Sequence, residues 1–162
     1  MAAEYFLKIT DVDGESTKAG LEGYIEIQSW SWGETNAGSF SHGMGGGTGK
    51  VTMQDFSFSM TQNKASPTLL LSCATGQHHK EATLKCRKAG GDQQIYLTIK
   101  FTDLLVSSYQ TGGDQGVDHL PVDHISFNYT RIDVEYKPQK ADGTLEASGV
   151  KVGYDLKLMK KT

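Results

Sequence analysis

Apolar and polar residues alternate along much of this chain, and alternation with period 2 places one face of a β-strand against a core. Tyr5, Leu7 and Ile9 predict an opening strand. Tyr24 to Gly33, which holds both tryptophans, starts as a strand with Ile25 and Ile27 on one face. The apolar positions then jump to Trp30 and Trp32, so parity changes about Gln28 and Ser29, leaving Ser29 and Ser31 opposite the indoles. Three more stretches do the same: Val51 and Met53 give way to Phe56, Phe58 and Met60; Ile95 to Phe101 give way to Leu104 and Val106; Ile125, Phe127 and Tyr129 give way to Ile132, Val134 and Tyr136. Such changes fit bulged strands bending round a small barrel. They equally fit strands whose two ends are buried on opposite faces, one end by the barrel and the other by a neighbouring subunit.

One helix is predicted, with Ser66 as N-cap, Pro67 at the first helical position and Gly76 just past the end. Leu69, Leu70 and Cys73 fall on one face of it, and at about two to three turns it must dock on a larger body to persist. Leu84 and Cys86 mark a short strand, and Val150, Val152, Tyr154, Leu156 and Leu158 a last one that keeps a single parity. Thr35 to Lys50 is a Gly-rich loop whose composition cannot pack a core. The expectation is a mainly β chain: one domain over residues 1–162, a compact β-barrel of antiparallel strands with one short flanking α-helix and a long Gly-rich loop.

Composition narrows the function. The 162 residues suffice for one core without staples, and a net charge of −3 lacks the basic excess of a nucleic-acid binder. No apolar run approaches membrane-spanning length, and Met1 to Lys8 has no basic segment followed by an apolar one. The protein is therefore expected in the cytoplasm at first, leaving the cell only by a route that reads no N-terminal signal. Cys73 and Cys86 are the only cysteines, and in a leaderless chain they are expected buried and reduced.

No chemistry emerges. His42 to Lys50 superficially resembles a phosphate-binding loop, but Met44 and Val51 stand where glycine and Ser/Thr are required, and a strand follows rather than a helix. His78 and His79, adjacent on a strand, point to opposite faces; His119 and His124 flank a strand start. All the histidines read as surface residues, with no metal-ligand spacing. There is no nucleophile elbow, and Asp55 and Asp103 show no carboxylate partner. No catalytic, cofactor or metal residue is predicted. A monomeric β-barrel binding module remains the alternative to an assembling protein.

Taken in order, Phe6-Leu7-Lys8-Ile9, Asp13-Gly14-Glu15-Ser16, Ser29-Trp30-Ser31-Trp32-Gly33, Gly49-Lys50-Val51, Gln54-Asp55-Phe56-Ser57-Phe58, Ser66-Pro67, Arg87-Lys88-Ala89-Gly90-Gly91, Val106-Ser107-Ser108, Thr111-Gly112-Gly113 and Tyr136-Lys137-Pro138-Gln139 resemble the haemolysin-coregulated protein (Hcp) family of type VI secretion. The resemblance runs from about Tyr5 to Lys157. It implies a β-barrel flanked by one helix, assembled as a homo-hexamer whose rings stack into a tube. A contracting sheath expels that tube with its spike, without a signal peptide, and the ring lumen can shelter effector proteins. It implies no enzyme activity and no membrane insertion; family members with a toxin extension carry it beyond the barrel, where this chain stops at Thr162. The segment Ser41, His42, Gly43, Met44, Gly45, Gly46, Gly47, Thr48 and Gly49 corresponds to the loop that contacts neighbouring subunits or the next ring. Ser31 corresponds to a channel-facing position that can contact cargo.

Overall fold

Alternating sequence becomes antiparallel ladder almost throughout. A computed structural model describes residues 2–38, 49–89 and 93–162. The strands are β1 (Ala3–Ile9), β2 (Ile25–Ile27), β3 (Ser29–Ser31), β4 (Glu34–Asn36), β5 (Val51–Met53), β6 (Phe56–Thr61), β7 (His78–Lys88), β8 (Ile95–Gly112), β9 (Val122–Asn128), β10 (Arg131–Tyr136), β11 (Val150–Asp155) and β12 (Lys160–Lys161). The helix α1 (Ala65–Thr75) stands between β6 and β7.

β1 pairs with β2 and β7, β7 with β8, β8 with β9, β9 with β6, and β6 with β3. Because β2 and β3 are consecutive pieces of one segment, the sheet curls back on itself. The ladder is interrupted at Gln28, so the barrel-like sheet is not closed by a continuous run of hydrogen bonds. β10, β11 and β12 extend from β8 as a wing, and β4 and β5 form a separate two-stranded hairpin.

The parity changes are resolved in two ways. At Gln28 and at Gln54–Asp55 the chain breaks and exchanges partners: β2 lies on β1 but β3 on β6, and β5 lies on β4 but β6 on β3 and β9. The other two changes sit side by side. Asp103 takes a left-handed conformation (φ 56°), while the Thr130 N–H and hydroxyl both donate to the Thr102 carbonyl at 3.0 Å. Phe101 and Leu104 in β8, and Tyr129 and Ile132 around the β9–β10 junction, are consequently all buried. β7 matches them with His79 and Ala82, since residues level on paired strands share a face. β8 also carries a register shift between Val106 and Ser108, and β7 one between Cys86 and Arg87.

The core is aromatic at its centre. Phe56 is fully buried and contacts Trp30, Phe58, Phe101 and Phe127, with ring centroids 6.0, 6.0, 4.9 and 5.1 Å away. Trp30 also meets Tyr5 edge-on at 6.1 Å.

Several sequence expectations need correction. The helix begins at Ala65, and Ser66 lies inside it rather than at its N-cap. The Ser66 hydroxyl is engaged by the buried Asp123 carboxylate, to which it donates at 2.6 Å, while the Asn63 side-chain carbonyl accepts the Ala65 N–H at 2.8 Å. Pro67 still falls in the first turn, where a missing N–H costs no intrahelical bond. Gly76 ends the helix as expected, left-handed at φ 69°. Of the predicted face only Leu69 is fully buried: Leu70 is exposed, Cys73 is half-buried, and Ala65, Ser66 and Ser72 take the inner positions. Thr35 and Asn36 belong to β4, not to a loop. The strand predicted around Leu84 and Cys86 is longer than expected, and the last strand ends at Asp155 with Val150 and Val152 exposed rather than in the core.

Candidate functional site

Three features can do something beyond holding the fold: a polar strand face, an apolar groove and the β4–β5 hairpin. In β3 the indole of Trp30 turns inward and Ser29 and Ser31 turn outward, so Ser31 is an exposed strand residue on the face opposite the core. β6 continues this face. In Phe56-Ser57-Phe58-Ser59-Met60 the apolar positions are buried and the two serines lie on the opposite face, Ser57 half-buried and Ser59 almost covered at 7% exposure, in register with β3 through Ser29↔Ser59 and Ser31↔Ser57. β9 adds His124 and Ser126 opposite Ser59 and Ser57. A shallow cleft of about 300 Å³ runs over these residues. Sequence reasoning singled out Ser31 alone; the alternation of serine with phenylalanine in β6 and β9 was the available signal for its neighbours.

The groove, of about 1020 Å³, lies between the hairpin and the wing. Trp32, Val51, Met53, Val134, Val152 and Tyr154 supply its apolar walls. Trp32 is fixed there because its indole N–H donates to the Tyr129 hydroxyl, which in turn donates to the Gln54 carbonyl at 3.0 Å. Burial pushes the Tyr129 phenol up to about 12, the Trp32 hydrogen bond pulling the other way, so it remains a neutral donor at physiological pH. Val150, Val152 and Leu158 are each more than 60% exposed, at 66%, 64% and 61%.

The hairpin of β4 and β5 is held by Thr35↔Thr52 and its neighbours. It leads into the Gly-rich segment. Of Ser41 to Gly49, only Gly49 lies within the described residues.

Among the described residues the titratable groups make no reactive constellation. His78 is exposed, 3.7 Å from the Asp103 carboxylate, which also lies 3.7 Å from the Lys157 ammonium. His79 departs from the surface expectation. It is buried, with Nδ1 2.9 Å from the Thr10 carbonyl and Nε2 2.9 Å from the Ser72 hydroxyl, and it ties α1 to β1. Because a carbonyl only accepts, Nδ1 carries a proton. His119 and His124 are exposed, and His42 lies outside the described residues. Cys73 and Cys86 are free thiols, and burial pushes Cys86 up to about 12, far from the thiolate a nucleophile needs. Among the described residues no group of three metal-ligating side chains converges. No described helix is long and apolar enough to cross a membrane.

Fold and surfaces together define a small, mainly antiparallel β protein with a curled, barrel-like sheet, one short helix and a separate two-stranded hairpin. Residues 6–136 match the family model described as type VI secretion system effector, Hcp. Protein hcp1 of Pseudomonas aeruginosa is 42% identical over 158 residues, covering 97% of each chain. A solved structure of a type six secretion system protein superposes with a TM-score of 0.94 at 31% identity, covering 99% of this chain and all of the other. Hcp1 from Salmonella typhimurium gives 0.80 at 30% identity, with both chains fully covered. The chain belongs to the Hcp family, whose members are structural components of the type VI secretion tube and not enzymes.

Proposed function

We propose that six copies of this chain close into a ring, that rings stack into the inner tube, and that the tube is expelled with its spike by the contracting sheath while effector proteins ride in the lumen. The observation that carries the ring is the uncovered apolar surface of β11 and the following turn, Val150, Val152 and Leu158. Val152 also lines the groove between the hairpin and the wing. Exposed apolar side chains grouped at one end of a sheet mark a protein–protein contact.

In this assembly Ser41 to Gly49 extends the hairpin towards the next subunit or the next ring, and Ser31 stands on the channel wall. Expulsion of the tube carries the protein out of the cell. Deleting Ser41–Gly49 is expected to weaken ring assembly or stacking, read by sedimentation velocity, while far-UV circular dichroism stays that of the intact fold. Loss of the β signal would remove the segment from this role, as would unchanged assembly.

A further inference from the structure

The strands that carry Ser31 share a property that no single one of them reveals. Charged residues make up 22% of the chain, and they stud the rest of the sheet: Arg131, Asp133 and Glu135 in β10, and Lys85 in β7, are examples. None points outward from β3, β6, β9 or the last part of β8. The positions on that face run from exposed Ser29 and Ser31, through half-buried Ser57 and nearly covered Ser59, to half-buried Ser126 and exposed Gln110. Asp123, the one acidic residue of β9, is turned inward and fully buried. Among the described residues His124 is the only titratable side chain on the face.

The hydroxyls are organised as cross-strand pairs. Ser29 and Ser59 lie 2.5 Å apart through their Oγ atoms, and Ser57 and Ser126 2.9 Å. In each pair one hydroxyl donates to the other. A paired hydroxyl thus remains free to donate outward, and lone pairs on both oxygens remain free to accept. The wall offers donors and acceptors together and no fixed charge. The recess over these residues, about 300 Å³, is an open cleft rather than an enclosed cavity, and it suits a surface laid against it.

We infer that this four-strand face is a charge-indifferent cargo wall. Its occupant is an effector polypeptide, held through backbone amides and uncharged polar side chains, not through ion pairs. The inference rests on the reading that Ser31 lies on the channel wall, and it extends that wall to Ser29, Ser57, Ser126 and Gln110, with Ser59 supporting Ser29 from behind. An ion-pairing wall would select cargo by charge and hold it harder at low salt; a hydroxyl wall does neither, and gives short-lived contacts that let cargo leave when the tube is expelled.

The test uses assembled rings and three fluorescent peptides of equal length. One is rich in Ser, Asn and Gln; the others carry Glu or Lys at alternate positions. Fluorescence anisotropy is read at low and high salt. Wild-type rings are expected to bind the neutral peptide with an affinity that changes by less than about twofold with salt, since no ion pair is screened. Gln110→Lys rings are expected to gain about tenfold for the Glu peptide at low salt, through one added charge per copy, and to lose that gain at high salt. Ser31→Lys supplies a second variant from the other end of the face, with the same expectation. Steep salt dependence in wild-type rings, a charged peptide preferred by them, no peptide bound, or lysine variants that form rings without changing preference would each overturn the inference while leaving the tube reading intact. Absence of rings from the wild-type protein would overturn both.

Discussion

Phe56→Ala is expected to cost about 4 kcal/mol of folding free energy. The ring is fully buried and touches four other aromatic side chains contributed by β3, β6, β8 and β9. Truncation loses its own transfer free energy and leaves a void. The rigid rings around that void cannot close it without abandoning their mutual geometry. Each aromatic pair adds about 0.5–1.5 kcal/mol beyond area burial, although the pairs do not sum independently. Against a total of roughly 5–15 kcal/mol for a domain, such a loss takes much of the margin. Urea unfolding monitored by tryptophan fluorescence measures it, at fixed protomer concentration because assembly adds to apparent stability. A cost below about 1.5 kcal/mol would show that the aromatic cluster is not the centre of the core.

Glu4→Ala is expected to cost about 3 kcal/mol, more than its place near the end of the chain suggests. Glu4 lies directly opposite Arg87 across β1 and β7, with the Glu4 carboxylate 2.6 Å from the guanidinium Nε. The Arg87 side chain is 5% exposed, with its guanidinium carbon 4.9 Å from the Phe6 ring centroid. Removing the carboxylate strands a buried cation. Replacing both residues, as Glu4→Leu with Arg87→Met, is expected to recover most of the loss, because a packed apolar pair needs no charge compensation. The same unfolding measurement decides it. A single variant costing under about 1 kcal/mol, or a double variant no more stable than the single, would refute the account of this pair.

Local chemistry was legible in the sequence, and long-range pairing was not. The Ile25–Trp32 parity change was readable as a strand with two faces, but which neighbour each half would join depends on β1 and β6, which lie far from each other in sequence. The change at Asp103 was visible as a jump from Phe101 to Leu104. That β7 would match it by burying His79 was hidden, because a histidine does not register as an apolar position. Ser66 looked like an N-cap because capping is a local rule; Asp123, a distant residue, claims its hydroxyl instead. Leu70 misled for a similar reason, since helical spacing alone does not say which part of the apolar arc the sheet will cover. Ser31 was marked by family resemblance, whereas the serines beside it are joined to it only by strand register.

The central claim is that this chain works as a ring. Native mass spectrometry of the untagged protein, with negative-stain images of the same sample, tests it most directly. The account predicts a dominant species of six protomers and annular particles with an open lumen. A monomer that persists at micromolar concentration, with no annular particles, would contradict it.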